Sequence, residues 1–319
     1  MKKNFSVMMW TIVLGLISSQ LYGQSRLDAQ KKVEAQERAC LLAKADLVTA
    51  VKGCTLKGAH LLRDLFNSKK VTAKMCEGFV QGAEIVSQGC DEDGFAWAVA
   101  EIAIKKVVEN VDGLKAQLKK DGVLTDKWEF LIKEIEDEDE VVTGIGFNAV
   151  RGCKIDPSIK PDPAVHKHPL VLQARKAASE IKVPCLTENF VRALLRAELN
   201  GSSELVSRIK GSRLFTLVLD RNNIPRSAHG EIMDALVSGY HTKSIVAESD
   251  GIVKVEVELV EQIVTETIES IFVKINNKPA SEFNWGVMGD EKRTYTALGL
   301  ASATGGSSQK PRRQTGRVE

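Results

Sequence analysis

Two stretches of this chain carry the same punctuation. Glu77 to Ile104, EGFVQGAEIVSQGCDEDGFAWAVAEIAI, holds two apolar runs around a polar turn, and Ser238 to Val260, SGYHTKSIVAESDGIVKVEVELV, does so again. Asp-Gly between apolar runs signals a hairpin, because both residues accept turn conformations that bulky side chains avoid. Gly78-Phe79 answers to Gly239-Tyr240, Ile85-Val86 to Ile245-Val246, and Asp93-Gly94 to Asp250-Gly251. The offsets of 161, 160 and 157 require small gaps, and they imply one building block used twice in tandem.

Alternation says which faces are buried. Val253, Val255, Val257 and Leu259 share one side of a strand, with Lys254, Glu256 and Glu258 on the other, so this strand is half buried. Its counterpart places Ala96, Ala98, Ala100 and Ile102 inward, yet Trp97 and Val99 occupy the face expected to be wet. Something must cover them: the other module, a helix over Thr125 to Ile135 (TDKWEFLIKEI), or a partner protein, which makes Trp97 and Val99 the candidate partner-facing residues.

Asp28 to Gly53 reads as one helix, since Val33, Cys40, Leu47 and Cys54 recur at intervals of seven with Ala43, Ala50 and Val51 between them. Gly53 supplies a stop. The expected fold class is therefore α+β, two tandem modules, each an alanine-rich helix packed on a small antiparallel sheet. The expected division is a signal peptide over residues 1–23, a first module over 24–113 and an acidic helical connector over 114–140. A second module with an insertion covers 141–275, and a C-terminal extension with a flexible basic tail covers 276–319.

The leader is read from Lys2 and Lys3 followed by the apolar run Phe5 to Ile17, polar Ser18-Ser19-Gln20 and small Gly23. The run is too short to span a bilayer, and no later stretch is long enough, so the expectation is a periplasmic or secreted protein without a membrane span. Losing Lys2 and Lys3 leaves 42 of the 44 cations against 42 anions, and a neutral chain favours neither nucleic acid nor an anionic membrane. Six cysteines in an exported chain are compatible with disulfides. Along one helix Cys40 and Cys54 would stand about 21 Å apart, far beyond bridging distance, and Cys54 to Cys76 is the preferred bridge beside the alternative of buried thiols. No zinc spacing of cysteine and histidine occurs.

The segments QERACLLAKADLVTAVKGCTLKG and EGFVQGAEIVSQGCDEDGFAWAVAEIAI resemble the lipoprotein-20 family of bacterial envelope proteins, whose module is similar to the N-terminal domain of flagellar assembly protein T. The resemblance implies a strand with a G-x-G, an alanine-rich helix and a hairpin. Val141 to Val150 (VVTGIGFNAV) before LQARKAASEI then opens the second module. It implies no catalytic residues. The chain departs from the pattern by lacking a lipidation cysteine and by carrying Pro184 to Ser227 as an insertion.

Other motifs carry little chemistry. Gly144 to Ala149 (GIGFNA) fits a dinucleotide loop only loosely, because an acidic run precedes it and no strand-borne acid follows at the required distance. Glu134 to Glu140 lacks the glycine and ligand spacing of a calcium loop. The tail beyond Ala301 carries Lys310, Arg312, Arg313 and Arg317 against Glu319 and reads as an unstructured terminus. The expected function is a noncatalytic envelope protein that binds another envelope protein or itself, with no catalytic residue, cofactor or metal. The alternatives are a periplasmic enzyme using a metal at Asp162, His166 and His168, and a small-ligand binder with a cleft lined by both hairpins.

Overall fold

The computed structural model describes residues 29–51, 78–120, 141–225, 240–260 and 294–304, with single positions between them at 228, 232, 264, 268, 269, 272, 276 and 282. Helix α1 (29–51) comes first. The hairpin β1 (Glu84–Cys90) and β2 (Phe95–Ala103) runs straight into α2 (Ile104–Gly113) and α3 (Lys115–Lys120), and β3 (Val141–Ala149) follows. Then come α4 (Pro169–Glu180), α5 (Thr187–Gly211), α6 (Arg213–Arg221), the hairpin β4 (His241–Ala247) and β5 (Ile252–Val260), and β6 (Thr294–Ser302). The strands form two antiparallel three-stranded sheets, β1-β2-β3 and β4-β5-β6. The protein is α+β, built of two tandem units of helix on small sheet. Among the described residues no helix is long and apolar enough to cross a membrane.

The duplication is visible in the ladders. Glu84 pairs with Glu101 where His241 pairs with Glu258, and Cys90 with Ala96 where Ala247 pairs with Val253. Both hairpins therefore correspond at one spacing, 157, and each has its register shift at the same place, between Ile85 and Ser87 and between Thr242 and Ser244. The turns match as well. Asp91 N–H donates to Phe95 O, Gly94 N–H to Asp91 O and Val150 N–H to Gly94 O; Glu248, Gly251 and Ala303 donate to Ile252, Glu248 and Gly251 in the same pattern. Gly94 and Gly251 both take a positive φ, 78° and 89°. Of the equivalences read from sequence, Asp93-Gly94 with Asp250-Gly251 holds. Ile85 corresponds to Thr242 rather than Ile245, because both ladders match at the one spacing of 157, their register shifts included.

Three boundaries move. Val141–Ala149 pairs along β2, so it closes the first sheet instead of opening the second module. Its counterpart is β6, which closes the second sheet from within the presumed C-terminal extension. Pro184 to Ser227 is no insertion, since it contains α5, the helix that packs on β5 and β6 as α1 packs on the first sheet.

The helix contacts explain the glycines. A Cβ on Gly146 would lie 2.0 Å from Ala39 O and 2.4 Å from Ala43 N, and one on Gly144 would lie 2.3 Å from Ala43 O. On Gly299 it would lie 1.7 Å from Ala197 O. Helix backbone thus rests on strand backbone, which only glycine permits. The buried seam of α1 is Ala35, Ala39, Ala43, Leu47 and Val51, at steps of four. The expected sevenfold stripe is rotated: Val33 is exposed and Cys40 only half-buried, because small residues set the closest approach. The leader, Cys54, Cys76, the Thr125 to Ile135 segment, the acidic run and the tail from 305 onward lie outside the described residues, whereas Ser302, read as the start of an unstructured tail, ends β6 and Ala303 is buried in the core.

Candidate functional site

Trp97 and Val99 are buried, at 2% and 1% exposure, by the second unit. They join Phe95 and Phe147 in one core with residues of α4, α5 and the second sheet, while Ala96, Ala98, Ala100 and Ile102 face a separate core under α1 and α2. Strand β2 is therefore covered on both sides, and Trp97 and Val99 are not surfaces for a partner. Helix α5 touches strands of both sheets and lies between them. Gly89 makes room, since its missing Cβ would sit 2.4 Å from the Trp97 ring. Burying each large apolar side chain is worth about 1.5–3 kcal/mol, so this face is a principal tie between the units.

The proline-rich segment after β3 forms a second tie. Arg175 of α4 is fully buried and reaches Asp93 of the first hairpin turn, NH1 to Oδ2, at 2.8 Å, with Asp91 Oδ2 at 3.5 Å. Its remaining donors go to main-chain carbonyls: NH2 to Asp156 O at 3.0 Å, and Nε and NH2 to Ile159 O at 3.3 and 3.1 Å. Asp93 also accepts from the Phe95 and Asp156 N–H groups, and its carbonyl accepts from the Thr187 hydroxyl at 2.6 Å. A buried charge persists only when paired and hydrogen-bonded in this way.

The three residues considered for a metal are drawn into the same scaffold. His166 is buried, packs against Trp97 with the rings tilted by 38° and centroids 4.6 Å apart, and places Nε2 3.3 Å from Asp91 Oδ2 and Nδ1 3.1 Å from Asp162 N. The Asp162 carboxylate accepts from Ala164 N–H. His168 caps α4, with Nδ1 accepting from Leu170 N–H at 3.2 Å and Pro169 next in the helix. Burial pushes the His168 imidazole below its ordinary value, which keeps the neutral, accepting form a cap requires. These atoms brace loop to helix rather than converge on one point.

A cleft of about 260 Å³ does lie between the units, but α1, β3 and α5 line it instead of the two hairpins. Leu42, Asp46, Thr49, Ile145, Leu195 and Glu198 form its walls. Asp46 accepts from Ile145 N–H at 2.8 Å and Glu198 from the Thr242 hydroxyl at 2.8 Å. The crowded walls push both carboxyls above their ordinary values, with Asp46 adding to the effect on Glu198. Burial, with both carboxylates adding, likewise raises the Tyr240 phenol.

The outer face of the second sheet differs from its counterpart. Lys254 and Glu256 stand where the first sheet has Trp97 and Val99, and Leu298 and Leu300 stand where it has Ile145 and Phe147. Lys254 pairs with Glu248, Lys243 with Glu256 and Glu258 at 3.6 and 3.3 Å, and His241 with Glu258 at 2.8 Å. With those charges mutually engaged, Val246, Leu298 and Leu300 remain 45–48% exposed on the same face. The sequence signal for it was present in the alternation of β5 but incomplete, because β6 supplies both leucines. The chain matches no protein-family model, no curated protein and no solved structure.

Proposed function

We propose that this chain is an exported, noncatalytic protein of the bacterial cell envelope, akin to the lipoprotein-20 family, that binds another envelope protein or supports an assembly. The observation that carries this reading is the open outer face of the second sheet. Its counterpart in the first sheet is sealed by the helices of the second unit, whereas Val246, Leu298 and Leu300 stand exposed around paired charges. A partner placed there adds the layer that the second unit adds to the first. Exposed apolar anchors beside mutually satisfied charges give the mixed apolar and polar composition of a protein-binding patch. Export rests on Lys2, Lys3 and the apolar run that follows them.

A photo-crosslinking residue at Leu298 or Leu300 in producing cells tests this. The expected product is a crosslink to a second polypeptide, lost when Val246 is replaced by Glu. Crosslinks confined to the chain itself, from a correctly folded and exported product, would refute the surface. A protein whose N-terminus still begins at Met1 in the cytoplasm would refute export.

A further inference from the structure

Cys40, Cys90 and Cys153 all pack against the core between α1 and the first sheet. Cys40 is held by Gln88, Sγ to Oε1, at 2.8 Å. The other two meet at the end of the hairpin. Cys90 is the last residue of β1, opposite Ala96, whose side chain lies in that core. After β3 the chain bonds Val150 N–H to Gly94 O at 2.9 Å, passes through Gly152 at a φ of 83° and folds back. Cys153 thereby lies over Gly94: its Cβ and Sγ are 2.9 and 3.0 Å from where a Cβ on Gly94 would stand. It fills the space left by a turn residue four positions beyond Cys90. Burial pushes the Cys90 thiol up to about 11, against Lys32, and charge on Asp91 and Cys153 adds to the rise. Cys90 and Cys153 thus stand at the same end of the hairpin and against the same core.

We propose that Cys90 and Cys153 are a disulfide pair, closed when the folded chain meets a small-molecule disulfide such as oxidised glutathione. The thiolate of one cysteine attacks a glutathione sulfur, expelling one glutathione thiolate and leaving a mixed disulfide. The second cysteine's thiolate then attacks the protein sulfur of that intermediate and expels the other glutathione. Two protein thiols lose two protons and two electrons, and one glutathione disulfide becomes two thiols. The bond ties the end of β1 to the loop beyond β3, across β2 and beside the turn that Arg175 holds. The pairing concerns the folded chain itself and is independent of the partner surface proposed above.

Both residues are present as thiols in the structure, so the wild-type chain serves for the test. The purified full chain is equilibrated with oxidised glutathione, alkylated, digested without reduction and mapped by mass spectrometry. The expected result is a Cys90 peptide joined to a Cys153 peptide, unchanged in Cys40→Ser and lost on reduction or when oxidation is done in guanidinium. Recovery of both cysteines alkylated after full oxidation would overturn the proposal. So would a preferred bond from either one to Cys40, Cys54, Cys76 or Cys185.

Discussion

Replacing Gly146 by alanine adds one methyl group where the structure has no room for it. That methyl would stand 2.0 Å from Ala39 O and 2.4 Å from Ala43 N, whereas ordinary contact begins at 3.4 Å, a shortfall of 1.4 Å on the nearer side. Both obstacles are main chain, so no rotamer relieves them and α1 must move away from the sheet. The seam of Ala35, Ala39, Ala43, Leu47 and Val51 then opens, and a gap approaching 1 Å already forfeits up to about half of each contact's dispersion energy. Overpacking of this kind costs about 1–3 kcal/mol, and an unyielding backbone places Gly146→Ala near about 3 kcal/mol. With a urea dependence on the order of 1–3 kcal/mol per molar, the midpoint falls by about 1 M or more. Urea unfolding followed by tryptophan fluorescence and far-ultraviolet dichroism reads this. Gly113→Ala, where nothing lies within 4 Å of the added carbon, is the control and stays within about 0.5 kcal/mol of the wild type. A Gly146→Ala protein as stable as that control would refute the close-approach argument. Gly299→Ala, 1.7 Å from Ala197 O, repeats the test in the second unit.

Arg175→Met leaves the Asp91 and Asp93 carboxylates buried without their cation and is expected to cost about 3–5 kcal/mol in denaturant unfolding. Arg175→Lys does not rescue it, because a single ammonium cannot serve both the carboxylate and the two carbonyls; a loss under about 1 kcal/mol for Met would contradict this. Glu198→Gln tests the cleft. Burial raises the folded-state value of Glu198 above its ordinary 4.5, so the folded chain holds that proton more tightly than the unfolded chain. The stability contributed by this group is then lost as pH rises from 4.5 through the folded-state value. Glu198→Gln should unfold later than wild type at pH 7 and show a flatter decline above pH 4.5. Parallel profiles across that interval would contradict the assignment.

Much of this architecture can be read locally. Alternation in 252–259 gives a half-buried strand because a pleated backbone sends successive side chains to opposite faces, and Val253, Val255, Val257 and Leu259 are buried accordingly. Asp93-Gly94 and Asp250-Gly251 mark both turns because glycine at positive φ closes them. Helix α5 is harder to read. Asn200-Gly201-Ser202-Ser203 argues locally against a helix, yet Gly201 lies against Gly299, and the Ser202 and Ser203 hydroxyls return to Leu199 O at 3.0 and 2.9 Å. Contact with the sheet overrides the weak intrinsic preference of those residues. His166 is a similar case. Its sequence neighbours suggest a ligand cluster, while its actual companions, Asp91 and Trp97, lie far away along the chain.

The sequence by itself determined that this is an α+β chain built from a repeated hairpin, because period and turn chemistry are properties of adjacent residues. Only the tertiary structure decided that Trp97 and Val99 belong to the interior, that β3 and β6 close their sheets, and that Arg175 clamps the hairpin turn of the other unit. Those outcomes depend on which surfaces meet across long stretches of chain. Strand β2 is dry on both sides where β5 is wet on one, because β2 turns Trp97 and Val99 toward a second layer of helices where β5 turns Lys254 and Glu256 outward.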